Sequence, residues 1–376
     1  MTPADDVRLT RLAIAVGRRN LGLTWPNPSV GAVLVQEVDG EPRILAQGVT
    51  RPGGRPHAEP VALEAAGDAA RGGTLYVSLE PCSHHGRTPP CTDAIVAARV
   101  SRVVTGTDDP DPRVAGRGHA LLRETGMAVT AGLLSAEAAA AHIGHITRVR
   151  SGRPAVMAKL ARTADGFAAA LSGNRLLITG DAANARTHML RAHTDAVAVG
   201  IGTVLADDPR LDVRLPGLET RRPVRIVFDS RLRLPATSYL ARTAAAQSVW
   251  VLCADGAPAE AERRLADLGI VVIRAARSED GRVDLAAALG TLGSRGLTRI
   301  LFEAGPGLAD ALAAADLIDE LLLMTGHGVL ASPGLPALGP VLARALGTRF
   351  LRTGRELVGS DILESFERTL PCSPAS

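Results

Sequence analysis

Apolar positions along the first 150 residues come in two kinds of stretch that take turns. Residues 8–20 carry them on one side at helical spacing, which predicts a short amphipathic helix. "SVGAVLV" and "RILAQGV" read as two buried strands joined by "QEVDGEP", a hairpin-like turn. "HAEPVALEAAGDAA" reads as a helix with His57 and Glu59 in its first turn, and "TLYVSLEPC" as a strand running into Cys82. "PPCTDAIVAAR" starts another helix, with Pro90 near its first position and Cys91 just inside. "VSRVVTGT", a helix around residues 116–125 and "MAVTAGLL" complete the alternation, which predicts a layered α/β domain over residues 1–146. The chain then turns basic and Gly/Pro-containing in "HITRVRSGRP", so residues 147–154 are expected to link it to a second domain over 155–376. That domain also alternates, with strands "PAVMAKLA", "DAVAVGIG", "PVRIVFD", "SVWVLCA", "IVVIRA", "RILFEAG" and "ELLLMTG".

Composition narrows the classes of function. A chain of 376 residues is comfortable for two domains, and 46% hydrophobic with 22% charged residues is ordinary for a globular protein. Aromatic residues make up only 2%, which leaves few platforms for stacking bases. A net charge of +3 from scattered basic residues suits anionic small molecules better than a nucleic-acid duplex. Four cysteines are too few for a disulfide framework. The start lacks the pattern of a secretory signal, and no apolar run reaches the length of a membrane span. A cytoplasmic protein without membrane or nucleic-acid partners is expected.

Two of the four cysteines lie in one short loop, "EPCSHHGRTPPC", and His57 precedes Cys82 by twenty-five residues. One imidazole and two thiolates, His57, Cys82 and Cys91, make three protein ligands for zinc and leave a fourth position open, as in catalytic sites. Zinc lowers the pKa of water held there toward neutrality, and Glu59, two residues from His57, is placed to carry its proton. Zinc-dependent nucleobase deaminases share the pattern H-x-E followed by P-C-x-x-C. Here H-A-E and P-C match, but eight residues separate the cysteines. A closed structural site would need a fourth ligand, which His84 or His85 could supply. Glu59 would then have no role.

"PNPSVGAVLV", "HAE", "LEPCSHHGRTPPCTDAI" and "DPDPRVAGRG" together resemble the deaminase half of the bifunctional riboflavin-biosynthesis deaminase/reductases. The resemblance implies a cytidine-deaminase-like three-layer domain acting on a phosphoribosyl pyrimidine, with Asn27, His84, Arg87 and Thr88 touching substrate. Arg87 is suited to the 5′-phosphate or the ring oxygen. The family commonly has histidine where this chain has Thr50, and D-P-N-P where it has Asp109-Pro110-Asp111-Pro112.

The second half lacks the G-x-G-x-x-G fingerprint, but "VAVGIGTVLADDPRL" and "ILFEAGPGLADAL" each run from an apolar strand through glycines into a helix start, where amides can cradle phosphate. These stretches resemble the reductase half of the same family, which implies a dihydrofolate-reductase-like α/β fold. Ala161, Thr203, Asp207, Ser230 and Gly305-Pro306-Gly307 would then face NADPH, and Arg175, Arg191, Leu211, Arg214 and Glu303 would hold substrate. "KLARTADG", with Lys159 and Asp165, resembles the family's K-x-A-x-S-x-D-G. "SGNRLLIT" departs from its S-G-E-S-x-W-I-T, with Arg175 and Leu177 in place of serine and tryptophan. The family tends to form homo-oligomers. Two rival readings stand beside this one: a deaminase whose second half binds nucleotide without reducing anything, and a nucleic-acid editing deaminase.

Overall fold

The structure, a computed structural model, describes residues 1–171 and 176–369. The chain falls into two compact units that divide between Arg153 and Pro154, with the short segment Gly296–Thr298 grouped with the first.

The first unit opens with α1 (Pro3–Gly17), which begins earlier than the apolar spacing predicts. Local chemistry explains the early start. The Thr2 hydroxyl accepts the Asp5 amide at 3.2 Å, the Asp5 carboxylate accepts the Thr2 amide at 3.0 Å, and Pro3 needs no donor partner in the first turn. Strands β1 (Gly31–Val38) and β2 (Glu41–Val49) form the expected hairpin. Then follow α2 (Ala58–Ala66), β3 (Thr74–Val77), α3 (Cys91–Ala97), β4 (Arg102–Thr105), α4 (Arg117–Glu124), β5 (Ala128–Thr130), α5 (Ser135–Ala141) and α6 (Ile143–Ser151). The stretch read as a linker is thus helical up to Ser151.

The sheet order is β2-β1-β3-β4-β5, with β3, β4 and β5 parallel. Period-two alternation splits its side chains between two layers. Val33, Val35, Tyr76 and Val104 pack under α1, while Leu34, Leu75, Val77 and Val103 pack under Ala58, Ala62, Ile95 and Leu122 of α2, α3 and α4. This three-layer arrangement puts the start of α2, the loop after β3 and the start of α3 at one end of the sheet.

The sequence expectation that a strand runs into Cys82 needs correction. Strand β3 ends at Val77: the Ser78 amide still reaches the Gly31 carbonyl of β1, but the Glu80 amide turns to the Thr107 carbonyl in the loop after β4, both at 2.9 Å. Cys82 therefore lies in a loop.

The second unit contains β6 (Ala155–Arg162), β7 (Phe167–Ala170), α7 (Asp181–Ala192), β8 (Ala196–Gly200), α8 (Ile201–Asp207), β9 (Val224–Phe228), α9 (Tyr239–Arg242) and β10 (Val249–Ala254). It continues through α10 (Ala259–Ala266), β11 (Val271–Ala275), α11 (Leu285–Ser294), β12 (Arg299–Phe302), α12 (Pro306–Ala314) and β13 (Glu320–Thr325). The last elements are β14 (Gly334–Pro336), α13 (Pro340–Leu346), β15 (Phe350–Val358) and β16 (Asp361–Arg368). Its nine-stranded sheet has the order β11-β10-β9-β8-β12-β6-β13-β16-β15, parallel from β11 to β13 and antiparallel over β16 and β15. The inner parallel strands β8, β9, β12 and β6 are mostly apolar and buried, as cover on both faces demands, while the edge strand β11 is partly exposed. Both units are of the α/β class expected. Among the described residues no helix is long and apolar enough to cross a membrane.

Candidate functional site

In the first unit the expected metal ligands come together. His57 ends the chain's approach to α2 as its N-cap, Cys91 is the first residue of α3, and Cys82 is held in the loop by the Cys91 amide, which donates to its Sγ at 3.3 Å. The His57 Nδ1 lies 3.3 Å from Cys91 Sγ and 3.6 Å from Cys82 Sγ, and the three ligand atoms fit within 4.8 Å of one another. A nitrogen and two sulfurs converging at this spacing are the donor set that zinc selects, with a fourth position left open.

The charges follow from the crowding. Its contact with Cys91, aided by His57, pulls the Cys82 thiol down to about 4, whereas the same contact and burial push Cys91 up. The hydrogen bond with Cys82 raises His57, against burial and with help from the Glu59 charge. Glu59, in the first turn of α2 and only 3% exposed, is pushed up to about 7, chiefly by burial. A carboxyl poised there can both accept and release a proton near neutral pH.

Around this centre, the Asn27 side-chain amide donates to the Gly54 carbonyl at 2.9 Å. His84 is half-buried on the loop, and Arg87 and Thr88 are exposed beyond it. Arg55 donates to the Thr88 hydroxyl. Sequence reasoning missed Arg55, although a basic residue two positions before His57 was a usable signal. Thr50, where the family commonly has histidine, is buried, its hydroxyl accepting the Val30 amide at 3.0 Å.

In the second unit, α8 and α12 start side by side at the ends of the paired parallel strands β8 and β12. A Cβ on Gly305 would come 3.7 Å from the Thr203 hydroxyl, so these two expected cofactor residues face each other. A cavity of about 1040 Å³ opens beside them, lined in part by Gly200, Gly202, Ser230 and Gly307. It lies outside the carboxyl ends of parallel strands, where ligands of open α/β sheets bind. Pro306 is the first residue of α12, Asp207 is the exposed last residue of α8, and Ala161 is half-buried on β6.

Arg191 on α7 forms a two-pronged ion pair with Glu303, Nη2 to Oε2 at 2.8 Å, and donates from Nη1 to the Asp212 carbonyl at 2.8 Å. Burial works to raise Glu303, but Arg191 and Lys159 hold it below the usual carboxylate range. Lys159 on β6 is itself pushed down by burial, with Glu303 opposing. Arg214 pairs with Asp212. Leu211 differs from the other expected substrate residues: its side chain is 1% exposed in the core beside Val227 and Leu240. Contact with a ligand is left to its main chain. The Asp165 carboxylate accepts the amides of Leu330 and Ala331 at 3.0 and 3.1 Å, a loop-fastening role. His188, which sequence reasoning passed over, takes the Arg214 amide on Nδ1 at 3.2 Å and so joins this group. Its signal was its place on α7, one turn before Arg191. Leu177 is 82% exposed, and Arg175 lies outside the described residues, as does Cys372.

Residues 3–107 match the family described as the cytidine and deoxycytidylate deaminase zinc-binding region, and residues 154–341 match the RibD C-terminal domain. The riboflavin biosynthesis protein RibD of Escherichia coli is 39% identical over 348 residues, spanning 87% of this chain and 89% of that protein. RibD of Actinobacillus pleuropneumoniae is 36% identical over 363 residues, spanning 95% and 94%. Among solved structures, Acinetobacter baumannii RibD aligns with a TM-score of 0.84 at 34% identity, covering 98% of this chain and 99% of that one. The diaminohydroxyphosphoribosylaminopyrimidine deaminase/5-amino-6-(5-phosphoribosylamino)uracil reductase of Thermotoga maritima aligns with a TM-score of 0.81 at 32% identity, covering 97% and 99%.

Proposed function

Because the chain belongs to the RibD family, the bifunctional deaminase/reductases of riboflavin biosynthesis, we propose that it carries out the two reactions for which the Thermotoga relative is named. It deaminates a diamino-pyrimidinone ribosyl phosphate in residues 1–146 and reduces the ribosyl group of the resulting uracil to ribityl in residues 155–376. The observation that carries this reading is the convergence of His57, Cys82 and Cys91 beside the buried Glu59.

His57, Cys82 and Cys91 would hold zinc, which when bound supplies an activated water at its fourth position. Glu59 moves a proton from the attacking water to the departing amino group, so that ammonia leaves as the ring carbonyl forms. Burial suits it to that work, since it is neither a committed acid nor a committed base near neutral pH. Asn27, His84, Arg87 and Thr88 are assigned to the substrate. Arg87 is exposed and free to swing onto a phosphate, where a guanidinium can bind two oxygens at once.

In the second unit Ala161, Thr203, Asp207, Ser230 and Gly305-Pro306-Gly307 would hold NADPH, which supplies the hydride. Arg191, Glu303 and Arg214, with the Leu211 main chain and Arg175, are assigned to the substrate. Arg191 and Glu303 lock each other's geometry, so that Glu303 presents a fixed carboxylate to the sugar. The enzyme is assigned to the cytoplasm as a homo-oligomer, in keeping with the family.

The test supplies the purified, zinc-loaded chain with the diamino-pyrimidinone phosphate and NADPH, and follows ammonia and NADPH oxidation together. Both signals are expected. Absence of ammonia overturns the deaminase assignment. Ammonia without oxidation, with the deaminated compound also inert, overturns the reductase assignment and leaves the second unit as a nucleotide-binding module.

A further inference from the structure

Glu80 lies two residues before Cys82, and its side chain is fully buried. Its two oxygens collect four main-chain amides from one distant segment. Oε2 accepts from Asp109 at 3.3 Å and Gly116 at 3.0 Å, and Oε1 from Gly118 at 3.0 Å and His119 at 3.4 Å. Two of these donors belong to the first turn of α4, whose own N-cap, Gly116, has no side chain to offer. Glu80 caps that helix from another part of the chain, with its negative charge at the positive end of the helix dipole.

A second feature points the same way. A Cβ on Gly118 would stand 2.2 Å from the Pro81 carbonyl oxygen, so the segment is pressed against the main chain between Glu80 and Cys82. Residues 109–116 in turn carry Asp109, which accepts from His145 Nε2 at 2.9 Å, and Asp111, whose carboxyl is held low chiefly by its Arg113 partner, with His84 adding a smaller pull. Glu80, Asp108 and His119 sit close enough together to suggest a second metal centre. Their bonding argues otherwise. Each Glu80 oxygen already serves two amides, so neither can bind an ion without giving up bonds that hold the segment.

We propose that Glu80 is a positioning residue of the deaminase reaction. It docks segment 109–119 against the metal-ligand loop and thereby builds the wall of the substrate site beside His84. Only a carboxylate fits the task, because four converging N–H groups need its four lone-pair sites, and a glutamine would turn two of its own N–H bonds toward donors. The inference rests on the deaminase reading. It adds a residue that touches neither metal nor substrate yet sets how well substrate is held.

The test uses the full-length, zinc-loaded chain and three variants, Glu80→Gln, Glu80→Asp and Gly118→Ala. Steady-state ammonia release gives kcat and KM, metal analysis gives zinc content, and NADPH oxidation with the deaminated substrate serves as an internal control in the other unit. Glu80→Gln is expected to raise the deaminase KM by roughly tenfold or more with a much smaller change in kcat, as expected for a displaced binding wall. Zinc content and reductase rate should stay at wild-type values, and Glu80→Asp should recover part of the loss. Gly118→Ala disturbs the same contact by bulk rather than charge and should raise KM in the same way. Unchanged KM in both Glu80→Gln and Gly118→Ala overturns the proposal, and so does loss of zinc in parallel with ammonia release, which would make Glu80 a structural support of the metal loop. Wild-type enzyme that releases no ammonia fails the deaminase reading itself, and this inference with it.

Discussion

Replacing Gly48 by alanine should disable the deaminase and spare the reductase. Gly48 lies on β2 under the start of α2, where an added Cβ would stand 2.0 Å from the Ala58 carbonyl oxygen and 2.7 Å from the Ala62 nitrogen. Ordinary contacts between carbon and its neighbours begin at about 3.5 Å, so the helix or the strand must yield by more than ~1 Å. Both opposing atoms are main chain, which cannot rotate out of the way. Its φ is one that alanine adopts freely, so the penalty is steric and not conformational. Overpacking of this kind costs about 1–3 kcal/mol. The displaced end of α2 is the end that carries His57 and Glu59. A shift near 1 Å in catalytic groups can lower a rate by roughly a hundredfold. Ammonia release, bound zinc and NADPH oxidation with the deaminated substrate, measured on one preparation, separate the outcomes. The reasoning predicts ammonia release down by about two orders of magnitude, reduced zinc, and an unchanged reductase rate. Wild-type ammonia release with full zinc would refute it, since α2 would then have absorbed the methyl group without moving its ligands.

Further expectations concern chemistry and charge. Glu59→Gln should keep zinc, as all three ligands remain, but lower ammonia release by roughly 10²–10⁴-fold, the usual contribution of a positioned proton carrier; near-normal release would show that another group carries the proton. Arg191→Lys loses the two-pronged grip on Glu303, which a single ammonium cannot reproduce, so reductase kcat/KM should fall by at least about tenfold while ammonia release is untouched. His142 is buried, hydrogen-bonded through Nε2 to the Ser78 hydroxyl at 3.0 Å, and held down at about 3, first by burial and then by His145, with Arg18 adding and Asp109 opposing. Because the unfolded chain binds this proton more readily, the stability it contributes is complete above about pH 6.5 and is lost as pH falls toward about 3, at up to about 1.4 kcal/mol per pH unit. Urea unfolding of wild type and His142→Asn across pH 4–7 should show a shallower acid slope in the variant (the range follows from those two pKa values); parallel curves would reject the assignment.

The strands at the heart of each sheet were legible because their signal is local. "SVGAVLV" and "PVRIVFD" are mostly apolar, broken in the second only by Arg225 within the strand, and burial on both faces leaves few other structures for such runs. The C-terminal hairpin of β15 and β16 was not read from the sequence. Strand β15 is mostly exposed, with Leu351 and Leu357 facing out, so no apolar face marks it. Likewise β7 and β14 are short and only part-buried, and depend on each other for hydrogen bonds.

The deaminase centre was readable because two of its ligands sit at helix starts and all three have spacing and residue types that carry their own chemistry. Sequence alone therefore singled out the converging set of His57, Cys82 and Cys91, the proposed proton carrier Glu59, the alternation of each half and the family. What it left to the fold are the partnerships that only chain reversal creates. Arg191 meets Glu303 across 112 residues, and the Leu211 side chain is turned into the core rather than toward a ligand. Carboxylates cap helices they do not precede: buried Glu80 serves α4, and half-buried Asp310 takes the Val341 and Leu342 amides of α13 at 2.9 and 2.8 Å. Such contacts leave no periodic trace, because the energy they supply depends on which distant amides lie unpaired in the folded chain, and that is decided only when the elements pack.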